Sequence, residues 1–330
     1  MKFSRDNGRA VGLCMAFLLL AGCGGSQTTS TSSAIPQGAK LSESGPNRMS
    51  NSSGDLIYAT GPCGGTCVIS YPEGKVVASL SVGGSLGSGA CTDSSGDVFI
   101  TNDDTVVEYT HGGTTPIETL NLPGDEAKGC SVDPKTGNLA VIFRGSGGDV
   151  AIFPDAQGTP TAYISHLDSL YCGYDNAGNL FVNGHAGQAF GLSELLAGAS
   201  NFSKLSVSQE VGEPGQVQWD GNHITWESTN GPPYVGVSRL SISGSKVTIV
   251  GVTRFKGLRT VYPSWIYGEQ IILPYSHHTR IIDNVGSWPY PQGGKAIDKF
   301  QRIAGGGRIQ SVALSPGKLA KHRLLTTREM

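Results

Sequence analysis

Hydrophobic residues in this chain come in short runs, separated by turns rich in glycine, aspartate and asparagine. One unit recurs: a turn with glycine, a polar residue, then an apolar strand. Its instances are Gly54-Asp55-Leu56-Ile57-Tyr58, Gly96-Asp97-Val98-Phe99-Ile100, Gly137-Asn138-Leu139-Ala140-Val141 and Gly178-Asn179-Leu180-Phe181-Val182. Two weaker copies follow at Gly221-Asn222-His223-Ile224-Thr225 and Gly268-Glu269-Gln270-Ile271-Ile272. The glycine spacings are 42, 41, 41, 43 and 47. Asp93, Asp133, Asp175 and Asp220 precede the turn, where aspartate and glycine suit the backbone.

A second strand follows each first one, ending in an aromatic or leucine: Ile69-Ser70-Tyr71, Val107-Glu108-Tyr109, Ile152-Phe153, Ser193-Glu194-Leu195 and Trp288-Pro289-Tyr290. A third comes after it, as in Val76 to Val82, Thr161 to Ile164 and Val247 to Val252. Each period therefore holds four short strands and no helix, which is the pattern of one propeller blade. The first period lacks an innermost strand, and Ile309 to Ser315 is an orphan strand that supplies one. The expected fold is all-β: a six-bladed β-propeller over 54–317, with the C-terminal strand closing the first blade.

Composition agrees with that pattern. The 330 residues include 48 glycines, and only 15% are charged. Few positions remain for charge when much of each blade faces another blade. The formal net charge is −2 and no basic face stands out, so nucleic-acid binding has no electrostatic footprint.

The first residues read differently. Lys2, Arg5 and Arg9 precede a short apolar run, Ala10 to Leu20. The run is too short to span a membrane and has the form of an export signal. Leu20-Ala21-Gly22-Cys23 resembles the lipobox of bacterial lipoproteins. The resemblance implies a signal peptide over 1–22 and an acylated Cys23 as the new N-terminus. Several acyl chains would give a stable membrane anchor. Residues 23–53, rich in Ser, Thr and Gly, read as a flexible tether. Residues 318–330 form a basic tail. Gly24 after the cysteine implies, by the same resemblance, the outer membrane in a two-membraned bacterium.

Export makes disulfides possible. Cys63-Gly64-Gly65-Thr66-Cys67 has a spacing that a hairpin can bridge, with a metal site as the rival reading. Cys91, Cys130 and Cys172 fall at near-equivalent positions on innermost strands. Burial as small hydrophobes is the expectation there, and a disulfide between neighbouring blades the alternative. Trp219, Trp226, Trp265 and Trp288 are expected to pack between blades, with a sugar-binding wall as the sharper alternative.

The units Cys130-Ser131-Val132-Asp133-Pro134-Lys135-Thr136-Gly137-Asn138-Leu139-Ala140-Val141 and Cys172-Gly173-Tyr174-Asp175-Asn176-Ala177-Gly178-Asn179-Leu180-Phe181-Val182 resemble the NHL and YncE-like class of bacterial propellers. The likeness covers about Gly54 to Gly317 and extends to a group of exported bacterial lipoproteins. It implies the fold and the envelope address. It implies no particular chemistry, since propellers host enzymes, receptors and scaffolds alike.

Loops between second and third strands share a face with the loops linking blades, where propeller ligands usually bind. The polar residues expected there are Asn102, Asp103, Asp104, Arg144, Asn183, His185, Glu227, His277 and His278. Converging on one axis, such residues could hold a divalent cation. No nucleophile elbow, P-loop or His-Glu-x-x-His motif is present. The expected function is therefore a membrane-anchored envelope lipoprotein whose propeller is a non-catalytic binding module. No cofactor, a monomeric state and an envelope protein or glycan as partner go with it. The alternative is a metal-dependent lactone or ester hydrolase of the gluconolactonase-like propeller type.

Overall fold

The computed structural model describes residues 54–82, 89–145, 147–209, 211–229, 235–276, 282–301, 303 and 308–317. The expected signal peptide, Cys23, the tether, His277, His278 and the basic tail lie outside the described residues.

The first repeat supplies β1 (Asp55–Thr60), β2 (Thr66–Tyr71) and β3 (Val76–Leu80). The second supplies β4 (Gly89–Thr92), β5 (Val98–Asn102), β6 (Thr105–Tyr109) and β7 (Glu118–Asn121). The third has β8 (Cys130–Val132), β9 (Leu139–Gly145), β10 (Gly148–Phe153) and β11 (Thr161–Tyr163). The fourth has β12 (Asp168–Tyr174), β13 (Leu180–Ala186), β14 (Ala189–Leu195) and β15 (Ser203–Val207). The fifth has β16 (Pro214–Trp219), β17 (Ile224–Ser228), β18 (Gly236–Ser243) and β19 (Lys246–Arg254). The sixth has β20 (Thr260–Val261), β21 (Trp265–Tyr267), β22 (Gln270–Ser276), β23 (Asn284–Pro289) and β24 (Asp298–Phe300), and β25 (Ser311–Ser315) ends the set. A 3-10 turn, Pro154–Ala156, follows β10.

These strands form an all-β, propeller-like fold. β25, β1, β2 and β3 make one sheet, so the last strand pairs with the first along Leu56↔Ser315 to Thr60↔Ser311. The second and third repeats each form a four-stranded sheet, and the sixth forms a five-stranded one. The fourth and fifth repeats depart from that scheme. Their outermost strands pair in parallel at Ser206↔Lys246 and Val207↔Val247, merging both repeats into one eight-stranded sheet. The sheet curls back so that its end strands, β12 and β16, meet.

The core is divided among the junctions. One buried cluster lies between each pair of consecutive repeats, from Leu56 and Val98 in the first junction to Val237 and Leu273 in the fifth. A sixth cluster joins Ile272 and Val285 to Ile57 and Ile69, and so joins the sixth repeat to the first. Both faces of each sheet are thus buried while the outer strands stay wet. Val76, Val77, Ile117, Ile164, Val250, Val252 and Ile297 are exposed apolar residues on or beside those outer strands.

The recurring Asp…Gly-Asn pattern has a local cause. Asp175 Oδ1 accepts the backbone N–H groups of Ala177 and Asn179 at 2.8 and 2.9 Å. Asp133 likewise accepts Lys135 N–H, and Asp220 accepts Asn222 and His223 N–H. These Asx-type bonds fix the turn, while Gly137 and Gly178 supply φ of 74° and 86°. The following asparagine reaches the outer hairpin: Asn138 Oδ1 accepts Asp155 N–H, and Asn179 Oδ1 accepts Ala197 N–H, both at 3.0 Å.

Cys63 and Cys67 are joined by a disulfide that closes the β1–β2 hairpin. Cys91 is joined to Cys130. The expectation of three unpaired cysteines near the axis is corrected at this point. Residues at the same repeat position on adjacent innermost strands face each other, with Cα atoms 5.7 Å apart, within bridging reach. Only Cys172 remains a buried thiol, near the carbonyls of Gly129 and Ala140.

Candidate functional site

Most of the polar residues expected to line one face bind other parts of the protein instead of converging. Asn183, fully buried on β13, donates from Nδ2 to the Gly215 carbonyl at 2.9 Å and accepts Tyr171 N–H at Oδ1. Gly215 belongs to β16, so Asn183 ties the fourth repeat to the fifth. Glu227, 1% exposed on β17, repeats the device one junction on. Its Oε2 accepts Gln216 N–H at 3.1 Å and Ser264 N–H at 3.0 Å, just before β21. Its Oε1 has no hydrogen-bond partner among the described residues. Burial pushes the carboxyl up to about 8, against the lowering effect of the Ser264 and Gln216 hydrogen bonds. On β5, Thr101 donates to the Lys128 carbonyl ahead of β8 at 2.7 Å. The same position of the second strand thus latches onto the entry to the next repeat at three junctions.

Arg144 lies at the exposed end of β9 and pairs with Glu126 at 3.2 Å and Asp168 at 3.3 Å. Such exposed pairs contribute little to stability. His185 packs edge-on against Phe190, with ring centroids 5.3 Å apart. Asn102 is buried at the end of β5, and Asp103 takes φ 45° in the β5–β6 turn beside Asp104. Among the described residues, no three His, Cys, Asp or Glu side chains stand close enough to share a metal ion.

The tryptophans disperse. Trp226 and Trp288 are buried in different junctions. Trp265 packs against two clusters, the one between the second and third repeats and the one between the sixth and first. With Tyr267 it also lines a hollow of about 490 Å³ over the turns Thr92–Ser95 and Val132–Gly137. Trp219 is different, because it is partly exposed and faces a cleft.

That cleft, about 740 Å³, lies between the fourth and fifth repeats. It opens on the side of the Asp175–Asn179 and Asp220–His223 turns, opposite the face expected from the loops. Phe181, Leu205, Ile224 and Leu240 form its apolar surface, and Trp219 stands on its inner wall. Glu194, Asn222, His223 and Ser241 supply its polar side. Burial, and then the charge of Asp175, raise the Glu194 carboxyl above its ordinary range. Asp175 and Asn179 are already held in their own turn.

The corresponding space between the third and fourth repeats is about 270 Å³. The strand registers explain the difference. Ile152 pairs with Ala140, and Glu194 with Phe181, at the same repeat position. Tyr163 stands opposite Val150, and Leu205 opposite Leu192. A carboxylate therefore replaces an isoleucine, and a leucine replaces a tyrosine. In the smaller junction Tyr163 also meets Phe202 edge-on at 6.3 Å, closing the gap. In the sequence Glu194 stands where the third repeat has Ile152, and Trp219 of the fifth repeat matches Tyr174 of the fourth.

No protein-family model matches the chain, and no curated protein matches it. Solved structures do. A chain of the nidogen/laminin complex is similar over 80% of this chain and 99% of its own, at 11% identity and a TM-score of 0.59. A protein of unknown function from Bacteroides caccae is similar over 79% and 99%, at 14% identity and a TM-score of 0.60. At such identities the likeness concerns the fold, and the fold is a β-propeller.

Proposed function

We propose that this is a lipid-anchored envelope protein whose six-bladed propeller, of the NHL and YncE-like type, is a non-catalytic binding module. The eight-stranded sheet is counted as two blades joined at their outer edges, which gives six junctions and six clusters. The observation that carries the binding role is the contrast between the two faces. On the loop face, Thr101, Asn183 and Glu227 are engaged in holding blades together. On the turn face, the fourth and fifth blades leave an open cleft of mixed character, the usual make-up of a ligand site. Two disulfides suit an oxidising compartment beyond the cytoplasm. A neighbour of the same fold comes from a complex of two proteins, which agrees with propellers serving as recognition surfaces.

Two measurements test the reading. Cells expressing the full chain are labelled with an acyl precursor. The chain is expected to carry label and to sediment with membranes, and Cys23→Ala to lose both. An unlabelled, soluble wild-type chain overturns the anchor. Metal analysis of the purified protein is expected to find no stoichiometric divalent ion. A bound ion whose chelation abolishes hydrolysis of a lactone overturns the non-catalytic role.

A further inference from the structure

The cleft between the fourth and fifth blades has the chemistry of a specific ligand site, and we infer that it binds a sugar ring. The inference rests on the binding-module reading and names the site and ligand class for it.

Paired outer strands β15 and β19 close the cleft on the outside, with Ser206 N–H bonded to the Ser245 carbonyl at 2.7 Å. The hairpin turn Gly244–Ser245 lines the same side. Asn183 holds the two blades together at the loop face, at the far end of the same junction. The cleft is therefore a cup between two rigid sheets and needs no large movement to accept a ligand, which limits the entropy lost on binding.

Sugars present an apolar face of C–H groups and a rim of hydroxyls. Trp219 offers a partly exposed indole beside Ile224 and Phe181 for the first. Glu194, Asn222 and His223 offer acceptors and donors for the second. No hydrogen bond within the described residues occupies the Glu194 carboxyl. His223 Nδ1 is 3.8 Å from Asp220, leaving the other ring nitrogen for a ligand. Among the described residues no lysine or arginine lines the cleft, so anionic ligands such as phosphates find no countercharge there. Its volume lies within the range of small-molecule sites and holds one or two sugar rings. The smaller cavity of the neighbouring junction provides an internal control, because its Ile152 and Tyr163 occupy the places of Glu194 and Leu205.

The full chain is titrated calorimetrically with N-acetylglucosamine, its β-1,4-linked dimer, glucose, cellobiose, galactose and maltose. At least one is expected to bind saturably below about 10 mM, with one site per chain. Trp219→Ala and Glu194→Ile are expected to weaken it about tenfold or more. Trp219→Phe keeps a ring in place and is expected to retain most of the affinity, and Glu194→Gln guards against a folding defect. Ile152→Val in the neighbouring junction is expected to change nothing. The inference is overturned if none of the six binds, or if binding survives both Trp219→Ala and Glu194→Ile. Failure on every sugar, alongside a purified envelope protein bound at another face, would overturn this inference and leave the binding-module reading standing.

Discussion

The junction between the third and fourth repeats and the junction between the fourth and fifth are built from the same repeat positions, yet one is packed and the other is open. In the first, Ile152, Tyr163, Tyr174 and Leu195 meet across the gap. In the second, Glu194, Leu205, Trp219 and Leu240 occupy the matching places and leave about 740 Å³. The open junction is compensated elsewhere. Its outer strands β15 and β19 are zipped together, and Asn183 ties it at the loop face. The difference teaches that a propeller can give up packing in one junction and keep its ring. The ring is held by inner-strand contacts, latches and strand pairing as well as by side-chain volume.

The largest expected effect tests the latches that permit this. Asn183 is a neutral latch on the open junction, and Glu227 an ionisable one on the junction beyond it. The folded-state pKa of Glu227, about 8, lies above its unfolded value. Stability present below the unfolded pKa is therefore lost as pH rises through the folded one. Glu227→Gln keeps an acceptor for Ser264 and Gln216 and has no charge to bury. It is expected to melt like wild type near pH 4 and to exceed it by pH 9, by up to about 5 kcal/mol. Chemical denaturation across that range checks the sign. Parallel curves for the two proteins would mean that the buried carboxyl is not the source.

Next in size is the staple between the second and third blades. Replacing Cys91 and Cys130 together by serine opens a loop with a sequence separation of 39. On the chain-entropy account this removes about 4 kcal/mol. Stability measured with and without reductant should show the larger loss in wild type, because the variant has only the short Cys63–Cys67 bridge left to lose. The buried Cys172 thiol, raised by its surroundings, should stay unreactive until the ring opens.

The packing contrast itself is tested by truncation on the two sides. Tyr174→Ala removes a buried ring from the closed junction and is expected to cost about 3 kcal/mol. Trp219→Ala removes a larger, partly exposed ring from the open one and is expected to cost about 1 kcal/mol. Equal losses would mean that the cleft is packed in solution, and the comparison would fail.

Much of the ring was legible in the sequence. Turn glycines at Gly96, Gly137, Gly178, Gly221 and Gly268 each adopt positive φ, as a tight turn requires, and the orphan strand near the C-terminus does pair with β1. A period is legible because each blade repeats one local solution. The site was less so. Asn183 and Glu227 look like ligand-face residues in the sequence, and only the fold shows Gly215 and Ser264 within their reach. The Cys91–Cys130 pair was written in equal repeat positions, but a bridge needs Cβ atoms that face each other, which spacing alone does not give. The parallel pairing of β15 with β19 breaks the repeat, so no periodicity announces it.

The smallest effect is the most direct test of why the two junctions differ. Exchanging their central residues, Glu194→Ile in one and Ile152→Glu in the other, should move stability in opposite directions. In the open junction the half-buried carboxyl is costly to ionise, and its pKa is raised by burial and by Asp175. Replacing it should stabilise the protein slightly, because solvent screens so exposed a group, and more at high pH than at low, since the cost appears only as the carboxyl loses its proton. In the closed junction, a carboxylate beside Tyr163 and Tyr174 meets a tighter space and should destabilise by about 1 kcal/mol. The double exchange discriminates between two causes. If the carboxylate alone opens the cleft, the Ile152→Glu junction should loosen, and hydrogen exchange at Thr161–Tyr163 should accelerate. If the cleft instead depends on Leu205 in place of Tyr163 and on the zipped outer strands, exchange there should stay slow while only the pH dependence moves. The registers favour the second outcome, because Tyr163 still bridges to Phe202 whatever stands at Ile152.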